Sequence, residues 1–225
     1  LLDDPDSANT VVSPVGVVAA AGVIAEGSSD EPIIDLKTLR PAWTMWRRWA
    51  GPPTRNPKKN PVIATAAQLF VDPEFSIKPA YHEAIAGWDV SIETGAIIQE
   101  NLDEWARINT ANLIQQSGIT VTPETKLVLQ NAITFAAKWQ EDFRQWDVID
   151  YDFTRGDGTI TRVEMMTSIR HAPYTVSEGW RGVRLDYADG ELAAFVLIPD
   201  DDIEQVTPTM LRQAVSRLCR PNETI

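Results

Sequence analysis

The stretch from Leu127 to Trp139 constrains the fold more than any other part of the chain. Leu127, Leu129, Asn131, Ile133 and Phe135 alternate with Val128, Gln130, Ala132 and Thr134. A period of two predicts a β-strand. Both faces carry apolar groups, so the strand is expected to be central in the largest sheet and covered on both sides. Asn131 is then expected to be buried and hydrogen-bonded, because an unpaired buried amide costs about 1–3 kcal/mol. A covered strand needs layers above and below it. The 225 residues supply them, and a single domain over residues 1–225 is expected.

Several helices are legible along the chain. Ser13 can cap a helix that Pro14 opens, running from Val15 to about Ala25. It is apolar almost all round, so it is expected to be buried. Its eleven uncharged residues are too few to cross a bilayer, which takes about 20. Pro41 to Ala50 reads as a short helix with Leu39, Trp43, Trp46 and Ala50 on one stripe, stopped by Gly51-Pro52-Pro53. Pro79 to Ile85 reads as another. Asp103 to Gln116 is expected to form a longer helix ended by Gly118.

Val62 to Val71 reads as a buried strand. After Tyr151 the pattern becomes strand-rich. Gly156-Asp157-Gly158 predicts a hairpin between Tyr151-Asp152-Phe153 and Thr159 to Met166. Asp189-Gly190 predicts a second, joining Val183 to Tyr187 with the all-apolar run Leu192 to Ile198, expected to be a core strand. Thr207 caps a last helix from Pro208 to about Leu218.

Composition excludes several classes. Apolar residues make up 44% and charged residues 23%, as in globular domains and unlike disordered or collagen-like chains. The single cysteine, Cys219, cannot form an internal disulfide and removes multi-thiolate zinc frameworks. The net charge of -12 repels nucleic acid and anionic membranes. The sequence opens at Leu1 rather than Met, so any signal peptide is read as removed or outside the sequence. An extracellular location is expected, with a cytoplasmic one left open.

Catalytic signatures are lacking: there is no GxSxG elbow, GxGxxG, P-loop or HExxH. The sequence nominates no catalytic residue, metal or cofactor. Cys219 with His171 as base is conceivable, but Cys219 ends a helix and reads as a small apolar residue. Arg155-Gly156-Asp157 spells an adhesion tripeptide, yet its Gly and Asp simply suit a turn. Asp200-Asp201-Asp202 reads as a solvated turn ahead of a helix. The basic stretch from Leu36 to Asn60 stands apart. It holds Lys37, Arg40, Arg47, Arg48, Arg55, Lys58 and Lys59, no acidic residue, and three of the eight tryptophans. Arg47, Arg48, Arg55, Lys58 and Lys59 are candidate ligands for a polyanion, whose binding would release counterions. The alternative is a solvated helix face with its tryptophans in the core.

Taken in order, these pieces resemble a serpin. Asn9-Thr10-Val11-Val12-Ser13-Pro14 is similar to the opening of the family's helix B, and Ala25-Glu26-Gly27 to its end. Ala66-Ala67-Gln68-Leu69-Phe70-Val71 resembles the second strand of sheet A, with Ala67 in place of the family's asparagine. Ile108-Asn109 resembles the start of helix F. Leu127 to Phe135, then Lys138-Trp139 and Phe143, looks like the third strand of sheet A. Val163-Glu164-Met165-Met166 resembles the paired-methionine strand. Leu185-Asp186-Tyr187 with Leu192 to Pro199 resembles the sheet B hairpin. Gly16 stands where the family usually has a serine, Ala136-Ala137 where it has Lys-Gly, and Ala111 where it has a helix F tryptophan. The resemblance covers nearly the whole chain. By the family pattern the end of sheet A, the hinge, the reactive loop and the last strands of sheet B should follow Ile225.

The resemblance implies an α+β fold: helices around a large mixed sheet A and a second antiparallel sheet, without the C-terminal reactive loop and last strands. It implies a serine or cysteine protease inhibitor, not an enzyme. A protease cleaves an exposed loop, which then inserts into sheet A and distorts the bound protease. Ser13 and Asn131 would gate the sheet in the shutter, and Trp139 in the breach where the loop first enters. The partners implied are an unidentified target protease and, through the basic stretch near helix D, a sulfated polyanion. Gly16 and Ala136-Ala137 lean toward the alternative, a non-inhibitory serpin-fold binding or structural protein.

Overall fold

The structure is a computed structural model and describes residues 11–28, 36–58, 60–177, 179–200 and 206–219. The described residues form two compact units, one drawn from 11–57 and 61–136, the other from 58, 60 and 137–219.

The first unit is built on a mixed three-stranded sheet. β1 (Val62–Val71) lies in the middle, parallel to β2 (Val90–Thr94) and antiparallel to β3 (Leu127–Ala136). Ala67 lies opposite Asn131, and Leu69 opposite Leu129. β3 is therefore the strand expected from its alternation, but among the described residues it stands at an edge. The expectation of a central position is corrected: period-two alternation reports that both faces are covered, and says nothing of a partner along each edge. Sequence reading missed β2, whose short run has only two apolar members, Val90 and Ile92.

Each face of this sheet carries helices. α1 (Pro14–Glu26) starts at Ser13, whose Oγ accepts a hydrogen bond from the Gly16 N–H at 3.3 Å. Ala19 and Val23 pack with Leu69, Val71, Ile85, Trp88 and Trp43. Gly22 is required here, since a Cβ on it would lie 2.2 Å from the Trp88 ring. The expectation that α1 is buried all round is overturned. Val17 and Ile24 are exposed, because helices and sheet cover one side only. α2 (Leu36–Met45) and a 3-10 turn at Trp46–Trp49 replace the single helix expected over Pro41 to Ala50. Pro41 sits inside α2. α3 (Pro79–Ile85) begins at Pro79 as expected. Tyr81 on α3 donates its hydroxyl to Val23 O at 2.8 Å, which ties α3 to α1.

The opposite face is covered by α4 (Gln99–Asn109), whose Leu102 is fully buried against Phe70 and Val128. It ends at Asn109, well before Gly118. Thr110 turns its hydroxyl back onto Ala106 O at 2.7 Å, and Ala111 and Asn112 take positive φ angles of 51° and 59°. A side chain that competes for backbone bonds at a helix end stops the helix without a glycine.

The second unit holds two antiparallel sheets. β4 (Val148–Thr154) pairs with β5 (Ile160–Met166) across the Gly156-Asp157-Gly158 turn. β6 (Tyr174–Ser177), β7 (Trp180–Asp186) and β8 (Ala193–Pro199) form the other, with α5 (Pro208–Leu218) packed on β6 and β7. Thr207 caps α5 through Met210 N at 3.2 Å. The apolar run ending in β8 is not wholly core: Val196 and Ile198 are exposed, since β8 is an edge strand with one covered side. Mixed and antiparallel sheets with packed helices make the architecture α+β, as expected.

Candidate functional site

Asn131 sits mid-way along β3, on the face toward α1. Its Nδ2 donates to Gly16 O at 2.8 Å. A Cβ on Gly16 would lie 3.0 Å from Asn131 Oδ1 and 3.6 Å from Ile133 Cδ1. The residue that departs from the family pattern is thus the one Asn131 grips. Ser13 stands one link away: its side chain holds Gly16 N, and its carbonyl accepts from Val17 N at 3.1 Å. Ser13, Gly16 and Asn131 form a chain of contacts pinning the first turn of α1 to β3. The hydrogen bond expected of Asn131 is present, but the residue as a whole is exposed rather than buried. β3 is an edge strand and α1 shields only its amide end.

In the second unit Trp139 stacks on Tyr187, with centroids 4.5 Å apart and planes 15° from parallel. Phe143 meets the Trp139 ring edge-on at 5.9 Å. The backbone holds the same register: Trp139 bridges Tyr187, Gln140 N donates to Asp186 O at 2.9 Å, and Ala188 N to Lys138 O at 2.8 Å. Burial against these rings pushes the Tyr187 hydroxyl pKa up, since it disfavours the charged phenolate. Offset aromatic pairs of this kind contribute about 0.5–1.5 kcal/mol beyond area burial.

The basic residues are only partly brought together. Arg47 and Arg48 share the exposed 3-10 turn after α2. Arg47 reaches Asp89 at 3.2 Å, and Arg48 lies 4.6 Å from the centroid of Trp49. Arg55 donates from Nε to Ala111 O at 2.7 Å and from Nη2 to Asn112 O, spanning the turn that ends α4. Lys58 is exposed and groups with the second unit. Lys59 lies outside the described residues. The counter-charge Asp89 escaped the sequence reading because it lies far along the chain from the acid-free stretch.

The remaining candidates are ordinary. Asp157 accepts from Thr159 N at 2.9 Å and from its hydroxyl at 2.7 Å; these bonds hold its carboxyl below the usual range. Asp200 lies 3.5 Å from Arg181; Asp201 and Asp202 lie outside the described residues. Cys219 is exposed at the end of α5. Among the described residues no helix is long and apolar enough to cross a membrane.

A family model described as Serpin (serine protease inhibitor) matches residues 1–224. Serpin-Z4 of Arabidopsis thaliana is 25% identical over 169 residues, covering 69% of this chain and 42% of that protein. Ovalbumin of Dromaius novaehollandiae is 29% identical over 181 residues, covering 74% and 46%. Among solved structures, the native state of the thermophilic serpin tengpin superposes with a TM-score of 0.79 at 19% identity, covering 95% of this chain and 59% of that one. Cleaved kallistatin complexed with heparin gives 0.77 at 17%, covering 96% and 70%. The chain spans about half the length of the curated relatives it matches.

Proposed function

The chain belongs to the serpin family, and on that premise we propose that it is the body of a protease inhibitor acting by strand insertion. The observation that carries this reading is β3: a ten-residue strand that, among the described residues, pairs on one side only, with helices on both faces. Its outward backbone groups are a template for one more extended strand. Insertion there stabilises the sheet, and that gain would drag a tethered protease with it. The Ser13–Gly16–Asn131 contacts fix α1 against β3 and would have to adjust as a strand enters. Trp139 and Tyr187 form a packed aromatic pair that serves as the second gate. The reading assigns no catalytic residue to this chain. The target is a serine or cysteine protease.

The test compares the 225-residue chain with a polypeptide in which it continues through a reactive loop. Both are incubated with a panel of serine and cysteine proteases. An SDS-stable complex formed by the longer polypeptide alone supports inhibition. Cleavage of its loop with no such complex contradicts it and favours a non-inhibitory serpin-fold protein.

A sulfated polyanion is the second partner we propose. Kallistatin has been solved with heparin, and Arg47 and Arg48 lie side by side on an exposed turn here. Arginine's planar fork suits sulfate. Arg47 must release Asp89 to bind, and the net charge of -12 opposes the approach. Retention on heparin is therefore expected to be weak, steeply salt-dependent and lost in an Arg47→Glu, Arg48→Glu variant. Equal elution of the two proteins contradicts this assignment.

A further inference from the structure

We propose that the open edge of β4 docks an extended segment of a partner polypeptide in which apolar and basic residues alternate. Every residue of β4 is exposed, and among the described residues β4 pairs with β5 alone. A lone two-stranded ribbon is marginally stable in water and gains from a third strand. The ladder fixes which backbone groups are free. Thr167 N donates to Asp147 O at 2.8 Å and Arg155 N to Thr159 O at 2.8 Å, one at each end of the pairing. Between them, bonded and unbonded residues alternate. Ile149, Tyr151 and Phe153 therefore bond to β5. The N–H and C=O groups of Val148, Asp150, Asp152 and Thr154 turn to the open side, a template for one more strand.

The side chains select the occupant. Ile149, Tyr151 and Phe153 form an exposed apolar row on one face of β4, and Asp150 and Asp152 an acidic row on the other. Asp152 stands opposite Arg162 and pairs with it at 2.9 Å. Asp150 stands directly opposite Glu164, in an unbonded pair, where side chains approach most closely. Like charges so placed repel, and neither residue forms an ion pair among the described residues. A lysine or arginine beside Asp150 on an added strand relieves that repulsion. Apolar residues before and after it cover Ile149 and Tyr151. The same charges disfavour a second copy of this chain: β4 laid on β4 with apolar facing apolar sets aspartate against aspartate. The edge of β5 carries Arg162 and Glu164, one of each sign, and makes no such choice.

Fluorescence anisotropy with the 225-residue chain tests this. The probe is a labelled, blocked heptapeptide of alternating valine and lysine, the length of β4. Salt near 0.1 M limits attraction to about 10 Å, so the net charge of -12 contributes little, while cross-strand pairs, about 4.5–5.5 Å apart, persist. Binding is expected to saturate. A peptide of the same composition with its lysines in one block, and one alternating valine with glutamate, are expected to bind at least about tenfold more weakly. In antiparallel pairing the lysine amides face β4 and the valine amides face away. N-methylation of the lysine amides should therefore abolish binding, and N-methylation of the valine amides should change it less than about twofold. Asp150→Asn with Asp152→Asn is expected to weaken it about tenfold. Hydrogen exchange of the wild-type chain should gain protection at the Asp150, Asp152 and Thr154 amides. No saturable binding, equal binding of the blocked and alternating peptides, indifference to lysine-amide methylation, an affinity unchanged in the asparagine variant, or protection that falls on another strand overturns the proposal.

Discussion

Gly22 leaves no room for a methyl group, because the Trp88 ring occupies the position its Cβ would take. Gly22→Ala is therefore expected to push Trp88 off its seat and cost about 1–3 kcal/mol. The thermal midpoint should fall by several degrees, at about 2–4 °C per kcal/mol for a chain of this size. Trp88→Leu in the Gly22→Ala background should recover part of that loss, which differential scanning calorimetry reads directly. Asn131 belongs to the same scale. Asn131→Leu removes the bond to Gly16 O and leaves a partly covered carbonyl, for an expected loss of about 0.5–1.5 kcal/mol. The exposure of the residue keeps the loss at that modest level. A midpoint equal to wild type would mean that water replaces the amide without cost.

Among the elements, the Trp139 and Tyr187 pair makes a pH prediction. Burial raises the Tyr187 pKa above that of an unfolded tyrosine, near 10. The folded state then holds its proton more tightly. The contribution to stability is complete below the unfolded pKa and is lost as pH rises through the higher folded value. Ultraviolet titration of tyrosinate should show one late-ionising group that disappears in Tyr187→Phe; Tyr81, also raised by burial and by the nearby Glu26 charge, forms a second. Loss in Tyr187→Phe of a group that ionises together with the ordinary tyrosines would contradict the stacked, half-buried ring.

The same elements show how much was legible. β1, β3, both hairpins, α3 and the capped starts of α1 and α5 follow from alternation, turn residues and Ser or Thr caps, all of which are local. Three things were not local. The edge position of β3 depends on which strand lies beside it. The end of α4 depends on Thr110 preferring its own backbone. The isolation of Arg55 depends on two carbonyls more than fifty residues away. Ser13, Asn131 and Trp139 were nominated through family resemblance, whereas the contact of Gly16 with Asn131 appears only once the hydrogen bonds are seen.

At the scale of the whole molecule, all three sheets have open edges among the described residues, and β4 exposes Ile149, Tyr151 and Phe153 on one face. Open edges and apolar patches favour association, while the net charge of -12 resists it. Light scattering should show association that grows with salt, as screening shortens to about 10 Å near 0.1 M. Tyr151→Lys with Phe153→Lys should suppress it. A monomer at every salt concentration would show that charge alone suffices.

The central claim is that the β3 edge accepts one more strand, and hydrogen–deuterium exchange tests it most directly. The chain is incubated with an excess of an extended synthetic peptide of small residues, and amide exchange is followed along β1, β2 and β3. The account predicts new protection at alternate amides of Leu127–Ala136, those facing away from β1, with β2 unchanged and the thermal midpoint raised. Unchanged exchange along β3, or protection that appears on β2 instead, would contradict it.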